Sequence, residues 1–331
     1  MTLSDLQKAL QVLNSYQIAQ VTLQVTEYLK LNEELKQTQP SVCPVCNSRD
    51  ARFIKKGFQA KKQRYQCKGC GSKFTYDTKQ ITSHSHQPVE SWVTMIEDTL
   101  SLTPLDKTAE KIAVCHETAF NMRHKLLAFM EIVNNSAALL DELVEADETY
   151  VLESQKGIKC ETRSPRKHGE GATKRGLSNE QYCVCVASDR NHNLVATCVN
   201  RAKPSGEDLI NALSSHILPQ SILLCDGATA YNRLAEHLKC KKIELIGHES
   251  YDRIFHMNTV NSLHSRLKEM LRQFRGVASK YLNQYLALFT IIASCSRFTL
   301  AELTDQLRHS LSSLREHITY TSSQTIRLLL I

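Results

Sequence analysis

The sequence predicts an α/β protein: a mixed sheet with helices on its faces, preceded by a small cysteine-rich unit and a helical region. Three observations lead there. From residue 141 onward, strand-like and helical runs follow in the order β-β-β-α-β-α-β-α. Two aspartates, Asp147 in "LVEADETYV" and Asp226 in "SILLCDGATAY", stand at the ends of strand-like runs. Four cysteines form a paired pattern, "CPVC" at 43–46 and "CKGC" at 67–70, with twenty residues between them.

Composition narrows the class. A 42% hydrophobic share over 331 residues is ordinary for a folded protein with more than one domain. The formal charge of +7 fits a nucleic-acid partner without establishing one. The start, "MTLSDLQKALQVLNSYQ", lacks the basic and apolar regions of a signal peptide. The apolar run "YLALFTIIASC" is too short to span a bilayer. Eight of the twelve cysteines lie outside the paired pattern, scattered and mostly in apolar text, as small buried hydrophobes would be. The expectation is a cytoplasmic, nucleoid-associated protein with no membrane contact.

Residues 1–40 form an N-terminal helical segment, with Leu3, Leu6, Leu10 and Leu13 at three- to four-residue spacing. Residues 41–78 form the cysteine unit. Between its knuckles, "RFIKKGFQAKKQRYQC" alternates like a two-stranded hairpin. Four thiolates at this spacing suit one tetrahedral ion, so Cys43, Cys46, Cys67 and Cys70 are read as a structural zinc ribbon. The ribbon is also where positive charge concentrates. Lys55, Lys56, Lys61, Lys62 and Arg64 lie there with Phe53, Phe58, Tyr65 and Phe74, and no acidic residue falls between 51 and 74. A field of one sign this dense points to phosphate.

Residues 79–135 read as a helical DNA-binding region. "LDKTAEKIAVCHETAFNMRHKLLAFM" gives a short helix, a break near Val114–His116, and a second helix. That pattern is helix-turn-helix-like, with Thr118, Asn121, Arg123, His124 and Lys125 expected outward.

Residues 136–300 are expected to form the core, and its element order is that of an RNase H-like fold. Strand ends bring Asp147 and Asp226 together. Paired carboxylates there suit phosphodiester chemistry with Mg²⁺ or Mn²⁺, which prefer oxygen ligands. The following helix, "HMNTVNSLHSRLKEML", holds asparagine where a third carboxylate is expected. Asn261 can offer a carbonyl oxygen; Glu249 is the alternative third ligand, and a site completed by neither stays open. His256 and Asn258 are auxiliary candidates. The stretch 154–176, with Arg166 and Lys167 among its seven basic residues, reads as a loop that grips DNA.

The pieces "CPVC…CKGC", "ADETYVLES", "SPRKHGEGATKRGLS", "LLCDGATAY" and "FHMNTVNSLHSRLKEMLRQFRGVASKYLNQYL" together resemble the bacterial insertion-sequence transposases of the DDE superfamily that carry an N-terminal zinc ribbon. The resemblance spans about residues 40–290. One branch of that family has asparagine as third triad residue and lysine seven positions on. Asn261 and Lys268 fit it. The resemblance implies Asp147, Asp226 and Asn261 as the metal-binding triad, with Lys268 at the DNA near the reacting phosphate. It implies binding of terminal repeats, metal-dependent cleavage and strand transfer, and a homodimer or larger assembly on double-stranded DNA. A transposase-derived regulator or an inactive copy is the alternative. Past "YLNQYL" the text departs from the family pattern, and residues 301–331 are expected only to form a helical tail.

Overall fold

The structure, a computed structural model, describes residues 40, 42–49, 51–59, 62–75, 78, 85–135, 139–157, 171–245 and 254–295. The expected N-terminal helix, the C-terminal tail, Lys61, Arg166, Lys167 and Glu249 lie outside the described residues. Contacts divide the chain into one compact unit within residues 1–129 and another within 130–297.

In the first unit, strands β1 (Phe53–Gln59), β2 (Lys62–Cys67) and β3 (Lys73–Phe74) form an antiparallel sheet. The hairpin expected between the cysteine pairs is thus present. Its core is small: Tyr65 and Phe74 stack at 6.0 Å and Phe53 meets Phe74 edge-on at 5.7 Å. Phe58 is different, standing 72% exposed. So three of the aromatics interleaved with lysines hold the ribbon together, and one faces outward.

Helices α1 (Val89–Leu100), α2 (Leu105–Lys111) and α3 (His116–Asn135) follow. The break before His116 falls where expected. The face presented by α3 differs from expectation. Its buried stripe runs through Ala119, Met122, Arg123, Leu126 and Leu127, the three-and-four spacing of one helix face. Arg123 therefore points inward, with Nη2 donating to Thr108 Oγ1 at 3.1 Å. Lys125 is half-buried, and burial lowers its pKa. Asn121 is exposed, as expected.

The second unit holds a five-stranded sheet in the order β6-β5-β4-β7-β8. Strand β4 (Leu143–Leu152) pairs antiparallel with β5 (Gln181–Asp189), which pairs antiparallel with β6 (Leu194–Arg201). Helix α4 (Gly206–Leu213) crosses to β7 (Ile222–Cys225), which lies parallel to β4. Helix α5 (Ala230–Leu238) crosses again to β8 (Lys241–Glu244), parallel to β7. Three antiparallel strands extended by two parallel ones make this a mixed sheet of RNase H-like type, as the element order predicted. Helices α6 (Asn258–Gln273) and α7 (Leu282–Cys295) complete the unit.

Alternation along β4 decides which helix each side chain meets. Val144 and Ala146 join the core under α4 and α5, with Leu209, Leu213, Tyr231 and Leu234. The odd-numbered residues Glu145 and Asp147 meet α6, whose buried stripe is Val260, Leu263, His264, Leu267 and Met270. Helix α4 starts on a capping box: Ser205 Oγ accepts from Asp208 N at 3.2 Å, and Asp208 Oδ2 accepts from Ser205 N at 2.8 Å. Gly206 follows because α5 comes too close for a side chain. A Cβ there would lie 2.8 Å from Arg233 Cβ.

Candidate active site and metal centres

The ribbon cysteines come together as their spacing required. Each knuckle is the same turn: Asn47 N donates to Cys43 O and Gly71 N to Cys67 O, both at 2.9 Å. Asn47 and Gly71 take φ of 57° and 75°, a left-handed turn that returns the second sulfur toward the first. All four Sγ atoms lie within 4.8 Å of one another. Cys43 to Cys70 and Cys46 to Cys67 each measure 3.8 Å. A tetrahedron with Zn–S bonds of about 2.3 Å has edges of about 3.8 Å. The four thiols therefore fit a zinc ion.

The acid site is built by sheet register. β4 and β7 pair in parallel with Leu143 opposite Ile222, Val144 opposite Leu223 and Glu145 opposite Leu224. Two residues further in this register stand Asp147 and Asp226, side by side where β7 ends. Asp226 Oδ1 accepts from Ala228 N at 3.0 Å, a turn that fixes the carboxylate just past the strand. Asp226 is exposed and Asp147 is half-buried.

A third carboxylate joins them. Asp147, Glu148 and Asp226 each offer an oxygen within 4.8 Å of the others. Burial, reinforced by Asp226, lifts the Asp147 carboxyl to about 6. Burial, then Asp147 and Asp226, lifts Glu148 to about 7. Asp147 and Glu148 therefore hold their protons more tightly than free carboxyls, and a bound cation would favour their charged forms. The oxygen-only donor set fits a hard divalent ion such as Mg²⁺ or Mn²⁺.

Helix α6 covers this site at one contact. His264 Nδ1 lies 3.8 Å from Asp147 Oδ2. Burial and nearby Lys268 hold the His264 pKa down to about 4, so the ring is neutral near pH 7. Asn261 and Lys268 lie about one turn to either side of His264 on the same helix flank. Both are exposed. Lys268 is near enough to Asp147 to favour its charged form. Asp147, Asp226 and Lys268 are thus brought together, and Asn261 sits one turn from the contact. His256 lies away from the acid trio, with Nδ1 3.4 Å from Glu145 Oε1.

Glu148 and His264 were not singled out from the sequence. A signal existed for His264, which falls three residues after Asn261 and four before Lys268. Glu148 had none, because neighbours on a strand point to opposite faces. Beside the end of β7, an oxygen of each nevertheless comes within 4.8 Å of the other and of Asp226.

An RNase H-like sheet with one acid in its central strand and a second just past the end of the adjacent parallel strand is the arrangement of the DDE class of nucleases and transposases. Residues 139–290 match the ISXO2-like transposase domain. This unit is a transposase domain of the kind that insertion sequences encode. Over 257 residues the chain is 26% identical to an uncharacterized protein in transposable element ISH50 of Halobacterium salinarum, covering 75% of this chain and 84% of that one. Among solved structures, the Mos1 strand transfer complex aligns at TM-score 0.30 and 15% identity, covering 65% of this chain and 76% of that one. A simian T-cell lymphotropic virus intasome bound to a PP2A regulatory subunit aligns at TM-score 0.30 and 13% identity, covering 60% and 68%. Among the described residues, no helix is long and apolar enough to cross a membrane.

Proposed function

We propose that the chain is the transposase of an insertion sequence, which cleaves DNA at the ends of its element and joins them to target DNA. The observation that carries this reading is the Asp147–Asp226 pair, brought together on the central strand and just past the end of its parallel neighbour, within the region that matches a transposase domain. Asp147 and Asp226 present carboxylate oxygens to Mg²⁺ or Mn²⁺. Asn261 adds a neutral carbonyl oxygen as the third member of the triad. Bound cations would activate the attacking oxygen and stabilise the leaving one. Lys268 places its ammonium beside the scissile phosphate. Water is the first nucleophile and the freed 3′-hydroxyl the second, so no protein–DNA bond forms.

Zinc on Cys43, Cys46, Cys67 and Cys70 supports the hairpin, whose exposed Lys55 and Lys56 meet the phosphates of the terminal repeats. Phe58, beside them and exposed, offers a face for an unstacked base. Lys62 and Arg64 lie on the same hairpin; Arg64 is also engaged in it, donating to Lys56 O at 3.2 Å. Two element ends are joined in one reaction, which calls for a dimer or larger assembly on double-stranded DNA.

The test is cleavage of a labelled duplex bearing the element's ends, with Mg²⁺ or Mn²⁺, by wild type and Asp226→Ala. Metal-dependent nicking at the end, absent from the variant, is expected. Equal DNA binding with no cleavage by either protein would overturn the reading in favour of a DNA-binding regulator.

A further inference from the structure

Glu145 lies two residues before Asp147 on the same face of β4. It is 1% exposed, and the chemistry proposed above does not use it. A buried carboxylate must be matched or it destabilises the fold. This one is matched by the start of α6, by His256 just before it and by Arg190. Glu145 Oε2 accepts from Val260 N at 3.0 Å, and Oε1 pairs with Arg190 Nη1.

Helix α6 has no side-chain cap of its own, since Met257 stands at its N-cap position. Glu145 satisfies one of its orphan N–H groups from the neighbouring strand and sets negative charge at the positive end of the helix. Arg190 ties the same segment from a second side. It donates to Ile254 O at 2.6 Å, to His256 O at 3.4 Å and to Thr259 Oγ1 at 3.4 Å. Arg190 is itself placed by a rigid turn, in which Asp189 accepts from Asn193 N at 2.8 Å and from Asn193 Nδ2 at 2.7 Å.

The geometry fixes α6 lengthwise along β4. Glu145 to Asp147 is about 6.6 Å of strand. Val260 to His264 is about 6 Å of helix. The Glu145–Val260 and Asp147–His264 contacts are therefore two matched rungs. A slide of α6 by one residue would break both. Asn261 follows Val260 directly, so its place relative to Asp147 is set by the first rung.

From this we infer that Glu145, with Arg190, is a positioning residue of the active site. It acts through Val260 to hold Asn261 and Lys268 against the Asp147–Asp226 pair. This rests on the metal-dependent core proposed above.

Two readouts on the zinc-loaded full chain test it. One is Mn²⁺ affinity, followed by the electron-spin-resonance signal of free Mn²⁺, with Asp147→Ala/Asp226→Ala as background. The other is hydrogen exchange over residues 254–268, which needs no metal and no DNA. Glu145→Gln keeps the volume and one acceptor but removes the charge. Arg190→Lys keeps a charge but cannot reach both Glu145 and Ile254 O. Each should speed exchange at the start of α6 and weaken Mn²⁺ binding about 10-fold, as loss of a group supporting a metal ligand does. Faster exchange with unchanged Mn²⁺ affinity would reduce Glu145 to a structural role and overturn the inference. Unchanged exchange would overturn it as well. Wild type that binds no more Mn²⁺ than the double variant would remove the metal core itself, and the inference with it, whatever the exchange data show.

Discussion

Asn261 carries the plainest residue-scale question. A neutral amide leaves the site one charge short of a carboxylate triad, and Asn261→Asp restores it. If Asn261 faces the cation, this variant should bind Mn²⁺ several-fold more tightly, read by the same spin-resonance titration; unchanged affinity would place the ligand elsewhere. Acid–base behaviour gives a second prediction. Asp147 and Glu148 are held up to about 6 and about 7, above their ordinary values. A carboxyl with a raised folded-state pKa binds more protons folded than unfolded, so its penalty is absent at low pH and grows as pH rises from its unfolded to its folded pKa. The metal-free protein should thus lose stability between about pH 4 and pH 7 on account of these two groups. Mn²⁺ must displace those protons, so it should raise the melting temperature more at about pH 8 than at about pH 5.5. An equal rise at both would show that the trio does not hold the ion.

Elements show where the sequence was readable and where it was not. The strand ends were legible because "SILLC" is a short apolar run closed by Asp-Gly, and the knuckles because their spacing admits little else. The face of β4 was not. Glu145 and Asp147 flank Ala146 and read as a solvent side, yet α6 contacts both, leaving Glu145 1% exposed. Only the partner helix turns that polar row into an interior one. Arg123 failed for a related reason. On an amphipathic helix an arginine at the stripe's edge looks outward, and a buried Thr108 hydroxyl is invisible until the helices are placed. Arg123→Ala should therefore lower stability by about 1–3 kcal/mol in urea unfolding, since it removes a buried side chain and leaves the Thr108 hydroxyl with its long bond to Pro104 O but no donor. Its DNA affinity should change little. The start of α4 makes a matching case. Gly206→Ala forces a methyl against Arg233 and should cost about 1–3 kcal/mol in the same assay.

At the scale of the whole molecule, the four cysteines and the basic hairpin belong to one unit and the acid trio to the other. Removing zinc with a strong chelator should unfold the ribbon and abolish DNA binding, while the melting of the α/β unit stays in place, as calorimetry would show. Reversing Lys55, Lys56 and Lys62 to glutamate should weaken DNA binding and flatten its salt dependence by about one unit of slope for each phosphate no longer neutralised. An unchanged slope would place the DNA backbone away from this hairpin.

The parallel pairing of β4 with β7 has a consequence for the order of synthesis. Asp147 waits on the central strand while 78 residues are made before Asp226 arrives, and Asn261 comes 35 positions later still. The antiparallel pair of β4 and β5 can close early because β5 comes next in the chain, whereas the parallel neighbour needs a helical crossover first. A nascent chain thus leaves the ribosome with its ribbon formed and its cutting site unassembled. On the proposed function, a prematurely terminated chain would bind DNA and never cut it.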